Sequence, residues 1–211
     1  MGLAHHDLLT ERFDAALLLA HKVHRRQTRK QTSVPYMAHV MAVTALVLDY
    51  GGSEDQAIAA LLHDAVEDAP AALGPEWVRA QIAEHFGPAV LDIVNHCTDT
   101  DETPKPPWRA RKIQYVDAAK DAPLDALLVS SADKLHNVTA LLRDFRREGH
   151  AVWSRFNSAG KTATIGYYRA LADIARVRLN SALSLDLHTV VSTLEREADL
   201  KGTWPPPDQP S

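Results

Sequence analysis

Three things are scarce in this sequence of 211 residues: cysteine, long hydrophobic runs and an excess of basic charge. The single cysteine, Cys97, cannot form an intramolecular disulfide, so nothing indicates an oxidising compartment, and we interpret it as a small buried apolar residue. No run approaches the roughly 18 apolar residues of a membrane span, and the N-terminus lacks the regions of a secretory signal. The composition therefore predicts a soluble, cytoplasmic protein with no membrane partner.

The charge balance argues against one further class of partner. Twenty-seven acidic residues face 23 lysines and arginines, which gives a formal net charge of -4. A protein whose main partner is a nucleic acid polymer usually carries a basic surplus. We therefore expect no nucleic acid polymer as a partner, and the oligomeric state is left open.

Strand signals are also missing, because no segment alternates apolar and polar residues convincingly. Apolar residues instead recur at steps of three and four, which is the helical period. The pattern predicts an all-α, single-domain helical bundle over residues 1–200, followed by a Pro-rich tail, 201–211, without structure. The predicted helices are 8–26, 37–48, a segment from the Ser53 cap to the stretch at 59–68, and 77–85, 88–97, 109–120, 124–148, 161–180 and 186–200.

The most informative stretch is AALLHDAVED, residues 59–68, where an apolar helix abruptly acquires polar groups. At about 100° per residue, His63, Asp64, Glu67 and Asp68 share an arc of about 140°. Acidic groups at a helix C-terminus oppose the helix dipole, and clustered carboxylates repel one another unless a cation lies among them. The alternative interpretation, an exposed polar helix end, explains this clustering poorly. The stretch therefore predicts a cation site.

A metal ion needs ligands from elsewhere in the chain, and two residues qualify. His39 lies in an otherwise apolar helix, and Asp133 ends the apolar run ALLVSSA inside another helix. Taken singly, His39 could be a core histidine with its hydrogen bonds satisfied, and Asp133 could simply pair with Lys134. Together with His63 and Asp64, they form a set of two imidazoles and two carboxylates. This set suits a divalent ion such as manganese, iron or zinc.

These residues resemble the HD-type metal phosphohydrolases, in which a histidine, a His-Asp pair and a distant aspartate bind the ion. The segments PYMAHV, AALLHDAVEDAP, FGPAVLDIVNHCTD and SADKLHNV, in this order, are similar to the hydrolase half of RelA/SpoT proteins and to small alarmone hydrolases. The similarity extends over about residues 8–180. It implies an HD-type helical bundle that uses Mn²⁺, with His39, His63, Asp64 and Asp133 as ligands. The implied reaction removes the 3′-pyrophosphate of guanosine tetra- or pentaphosphate.

The resemblance also implies roles for residues outside the ligand set. Glu67 and Asp68 match the acidic pair that orients and deprotonates the attacking water, a task for which carboxylates one turn beyond the ligands are well placed. The guanine nucleotide alarmone is then the small-molecule partner. Positions matching its binding residues are Arg29, Lys30, Asn137, Tyr167 (or its neighbour Tyr168), Lys105 and Arg111.

Other interpretations of the same residues stay open. The substrate could be a different 3′-phosphorylated nucleotide, since the motifs do not define the base or the 5′ group. The protein could also be an alarmone sensor without catalytic activity. Glu67 and Asp68 argue against a sensor, because pure binding does not need a proton acceptor beside the ion.

Overall fold

The computed structural model describes residues 8–156 and 160–206. Within these ranges no strand forms, and one isolated bridge joins Thr28 to Pro35, so the all-α prediction is confirmed. The helices of the described ranges are α1 (Glu11–His24), α2 (Met37–Asp49), α3 (Glu54–Leu62), α4 (Pro75–Cys97), α5 (Trp108–Ala119), α6 (Leu124–Glu148), a 3₁₀ helix (Gly149–Phe156), α7 (Lys161–Arg178) and α8 (Ala182–Glu197).

The ends of several helices differ from the predicted positions because of local capping. α1 begins three residues late, since the Thr10 hydroxyl accepts a hydrogen bond from the backbone of Arg12 and caps the helix there. α8 begins at Ala182, four residues early, because Ser181 and Ser184 form a reciprocal cap. The two helices predicted at 77–85 and 88–97 both form within α4. They meet at a kink where Gly87 has a φ of 85°.

α3 is the short helix that delivers the polar stretch to the protein interior. Ser53 and Gln56 form a capping box at its start, and the Gln56 amide also donates to Asp125 Oδ1 of α6 at 2.8 Å. Every residue from 56 to 62 is buried, so this helix is enclosed on all sides. The helix ends at Leu62, and residues 63–68 continue as successive turns. The polar stretch therefore begins inside the core.

α6 is the long helix around which the others are arranged. It packs against α2, α3, α4, α7 and α8. Its buried positions recur at the helical period and include Val129, Ala132 and Val138, so Asp133 lies in the packed part of the bundle. No helix of the described ranges is long and apolar enough to cross a membrane.

The first part of the Pro-rich tail packs against the bundle. The Thr203 amide donates to the Thr162 carbonyl oxygen at 3.2 Å, and Trp204 contacts the ring of Tyr167 with 5.9 Å between centroids. Gly166 and Gly202 let the two backbones meet, because a Cβ on Gly166 would lie 2.6 Å from the Thr203 carbonyl carbon. The predicted absence of structure is thus corrected for 201–206. Residues 207–211 lie outside the described residues.

The Gly166 contact generates a prediction whose sign depends on the tail. Gly166→Ala should destabilise the full chain, because the new methyl group collides with the Thr203 backbone. In a chain ending at Leu200 the same change should stabilise by up to about 1 kcal/mol, since alanine favours a helix interior over glycine. The measurement is thermal unfolding of the wild type and of Gly166→Ala, each as the full chain and as the chain ending at Leu200. An equal effect of Gly166→Ala in the full and the shortened chain would contradict the packing described here.

Candidate active site

Three predicted metal ligands come together at the junction of α2 and α3. The potential ligand atoms of His39, His63 and Asp64 all lie within 4.8 Å of one another. Asp64 Oδ2 is 3.6 Å from His39 Nε2 and 3.0 Å from His63 Nε2. The Tyr36 hydroxyl donates to the same oxygen at 2.5 Å and so fixes the carboxylate. The group is a candidate site for a divalent metal ion.

Asp133 approaches the same imidazoles from α6. Its Oδ1 lies 3.2 Å from His39 Nε2 and 3.7 Å from His63 Nε2. Burial alone would raise the pKa of Asp133, but Lys134 and the imidazoles hold it below its usual range. Burial would also raise the pKa of Asp64, and His63 and His39 lower it in the same way. Both carboxylates are therefore ionised, as metal ligands must be.

The donor chemistry of His63 fits a metal ion. Its Nδ1 donates to the Ala60 carbonyl oxygen at 2.8 Å, which leaves Nε2 as the atom that faces the cluster. This Nε2 is buried and has no hydrogen-bond partner among the described residues, although Asp64 Oδ2 is near. Burial lowers the pKa of His63, but Asp64 and Asp133 outweigh that effect and raise it to about 9. The raised pKa means that His63 binds a proton at neutral pH when no ion is present. The cluster thus attracts a cation, and a divalent ion can take the place of this proton.

His136 is a residue of the site that the sequence analysis missed. Its Nδ1 lies 2.8 Å from His39 Nδ1, so one of these nitrogens donates to the other. Burial, His39 and Arg29 lower the pKa of His136 to about 4, which keeps it neutral. If His39 binds an ion through Nε2, its Nδ1 must carry the proton and His136 must accept it. In the sequence, the signal for this role is only a histidine three residues after Asp133, which fits a solvated helix face equally well.

The two acidic residues of the predicted base pair have different surroundings. Glu67 Oε1 accepts a hydrogen bond from Lys105 Nζ at 2.8 Å. Asp68 Oδ2 accepts one from the Gln27 side-chain amide at 2.8 Å. Burial and the charge of Asp64 raise the pKa of Asp68 to about 6, which is close to the range in which a general base works best.

A cavity of about 760 Å³ opens beside the cluster of His39, His63 and Asp64 and extends along α6. Arg29 and Lys30 lie at its wall, and Arg29 Nη2 donates to Asn137 Oδ1 at 2.8 Å. The Asn137 amide in turn donates to Asp133 Oδ1 at 2.5 Å. Two of the predicted nucleotide-binding residues, Arg29 and Asn137, are therefore joined to the ligand cluster through one chain of hydrogen bonds.

The remaining predicted substrate residues are divided between this cavity and its surroundings. Tyr167 and Tyr168 both line the cavity, so the choice between them stays open. Lys105 is held by Glu67 at the edge of the site. Arg111 is directed toward Asp99 and the Pro106 carbonyl oxygen, and it lines a neighbouring cavity of about 380 Å³.

The fold and this cluster define the class of the protein. The family model described as HD domain matches residues 16–164, and the chain belongs to that family. The prediction of an HD-type helical bundle is thereby confirmed.

The chain is also similar to individual proteins and to a solved structure. Guanosine-3′,5′-bis(diphosphate) 3′-pyrophosphohydrolase MESH1 from Mus musculus is 38% identical over 144 residues, which are 67% of this chain and 73% of the relative. The Homo sapiens protein of the same name is 36% identical, with the same coverage. The solved structure of a metazoan ortholog of SpoT that hydrolyzes ppGpp has a TM-score of 0.68 at 26% identity, covering 91% of this chain and 98% of that one.

The contact between His39 and His136 generates a prediction about metal affinity. His136→Leu removes the acceptor and should weaken metal binding by about 10- to 100-fold, as losses of such supporting partners typically do. His136→Asn places a carbonyl oxygen close to the lost Nδ1 and should retain most of the affinity. Chelator competition measures the dissociation constants, and equal values for the Leu variant and the wild type would refute the role.

Proposed function

We propose that this protein is a manganese-dependent, cytoplasmic hydrolase that removes the 3′-pyrophosphate of guanosine tetra- and pentaphosphate, giving GDP or GTP and pyrophosphate. The observation that carries the proposal is the cluster of His39, His63 and Asp64, of which His39 and Asp64 line the same cavity as Glu67. The similarity to hydrolases of this name, over most of their length, supports the substrate.

The four ligands proposed for the ion are His39, His63, Asp64 and Asp133. These residues would hold a divalent ion, which would supply a water of lowered pKa and polarise the phosphoryl group under attack. The protein contributes the orientation of the ligands, because Tyr36 fixes Asp64. With two imidazoles and two carboxylates, the site leaves coordination positions for water and substrate.

Glu67 and Asp68 are the proposed proton acceptors. Asp68 is held in place by Gln27, and its raised pKa matches proton transfer near neutral pH. Glu67 is the cavity-lining member of the pair. Lys105 compensates its charge from the outer side and can move onto a phosphate oxygen when substrate binds.

The nucleoside is proposed to lie against Arg29 and Asn137. The Arg29 guanidinium is 5.9 Å from the centre of the Tyr36 ring, and its planar group can stack on a purine base. Asn137 contacts both Arg29 and Asp133, so it lies between the base side and the metal side of the cavity. In this proposal the ribose lies beside Asn137 with its 3′ group toward the His39, His63 and Asp64 cluster.

A product assay tests the proposed function. Guanosine tetraphosphate and a panel of other 3′-phosphorylated nucleotides are incubated with the protein in Mn²⁺ and, separately, in chelator. We expect pyrophosphate and GDP from the alarmone in Mn²⁺ only. Faster turnover of a nucleotide with another base would favour a different substrate, and tight alarmone binding without product would favour a sensor.

Replacing Glu67 by glutamine tests the proton acceptor. Glu67→Gln keeps the shape of the side chain but cannot take a proton, so kcat should fall by about 10²- to 10⁴-fold while the metal content stays unchanged. Steady-state kinetics and metal analysis are performed on the same preparation. Near-normal turnover would leave Asp68 as the remaining candidate, and loss of the metal would make Glu67 a ligand.

The Gln27 contact predicts a shift in the pH profile. Its amide stabilises the ionised form of Asp68, so Gln27→Leu should raise the pKa of that carboxyl. A base acts only when it is deprotonated. The acid limb of kcat against pH should therefore move to higher pH in the variant, with turnover restored at alkaline pH. An unmoved limb would show that Asp68 is not the titrating base.

A further inference from the structure

Lys112 of α5 is a cavity residue to which no role has yet been given. Lys112 follows Arg111 directly, and one residue along a helix turns the side-chain direction by about 100°. Its side chain therefore lines the cavity beside the cluster of His39, His63 and Asp64. Its side chain is 19% exposed, which is low for a lysine. A largely buried ammonium group requires a negatively charged partner.

The partner inside the protein satisfies only part of this requirement. Lys112 Nζ donates to Asp99 Oδ2 at 2.9 Å, and Arg111 shares the same oxygen. A lysine ammonium has three donors, and within residues 8–156 and 160–206 Asp99 is its one hydrogen-bond acceptor. Asp99 is thus shared by two cations, and Lys112 retains donors for another anion.

Two aromatic rings flank this ammonium group at the wall of the cavity, and a second lysine lies near one of them. Lys112 Nζ lies 5.0 Å from the centre of the Tyr167 ring and 5.7 Å from that of Tyr115, while Lys134 Nζ lies 4.9 Å from the same Tyr115 ring. Ring faces attract ammonium groups without using their hydrogen-bond acceptors. Burial and the charge of Lys134 lower the pKa of Lys112 to about 7, so a bound anion would stabilise its charged form.

We propose that Lys112, supported by Lys134 on the shared Tyr115 ring, binds the pyrophosphoryl group of the substrate. This inference rests on the proposed function and names the residue that recognises the leaving pyrophosphate. It assigns this contact to Lys112 and not to Arg111, which the family resemblance implies as a substrate-binding residue but whose side chain lines the neighbouring cavity.

A purely structural role for Lys112 makes a different prediction. Asp99 lies near the start of the segment between α4 and α5, and Arg111 anchors this segment through both Asp99 and the Pro106 carbonyl oxygen. If Lys112 only helped to anchor it, replacing Lys112 would lower stability and leave anion binding unchanged. Arg111 therefore serves as the comparison for anchoring.

Binding of inorganic pyrophosphate in Mn²⁺, measured by calorimetry, tests the inference. Lys112→Met should weaken binding by about tenfold or more, since it removes a charge-assisted hydrogen bond, and Lys112→Arg should restore part of it. Lys120→Met, at the exposed position that follows α5, controls for the loss of one positive charge. Arg111→Met should lower the melting temperature more than Lys112→Met does, and it should weaken pyrophosphate binding less than Lys112→Met does.

Two outcomes separate this inference from the proposed function. If the wild type releases pyrophosphate from the alarmone while Lys112→Met binds pyrophosphate as tightly as the wild type, the inference is overturned and the function stands. If the wild type releases none but Lys112→Met still weakens pyrophosphate binding, the anion site stands and the function falls. Should Lys112→Met not fold, Lys112→Gln, which keeps a donor for Asp99, replaces it in the same comparison.

Discussion

The rest of the structure depends on one constraint, the burial of imidazoles and carboxylates in a cluster between α2, α3 and α6. His39 and His63 are almost completely buried, and Asp133 is 6% exposed. Ionised groups at such depth are costly unless opposite charges or a metal ion compensate them. The bundle therefore has to hold these side chains at fixed distances, and α2, the end of α3 and α6 each contribute at least one of them.

The supporting contacts explain how that geometry is held. Gln56 caps α3 and also binds Asp125, which ties the start of α3 to the start of α6. Tyr36 fixes one carboxylate of the cluster through its hydroxyl group. Asn137 contacts Asp133 one helical turn further along α6 and extends the network to Arg29 at the wall of the cavity. The candidate metal site and the residues that line the cavity are thus parts of one hydrogen-bonded unit.

Much of the fold could be predicted from the sequence because helical periodicity and capping are local. The all-α class and most helices followed from spacing alone, whereas the packing of Trp204 against Tyr167 depends on two glycines far apart in the sequence. The early start of α8 depends on Ser181, a cap that the apolar period does not reveal. The candidate site was predictable where a residue broke a local rule, since Asp64 and Asp133 are acids next to or within apolar helices. His136 and Lys112 break no such rule. The contact of His136 with His39 joins residues 97 positions apart, and the contact of Lys112 with Asp99 depends on the path of the segment between α4 and α5, so neither contact follows from the local sequence.

The most direct test of the central claim is the manganese content of the chain after removal of metal by chelator and reconstitution with Mn²⁺. The account predicts one ion per chain for the wild type and loss of that ion in Asp133→Asn, which keeps the shape of the side chain but removes its charge. A wild type that binds no ion, or an Asp133→Asn variant that binds one as tightly as the wild type, would contradict the account.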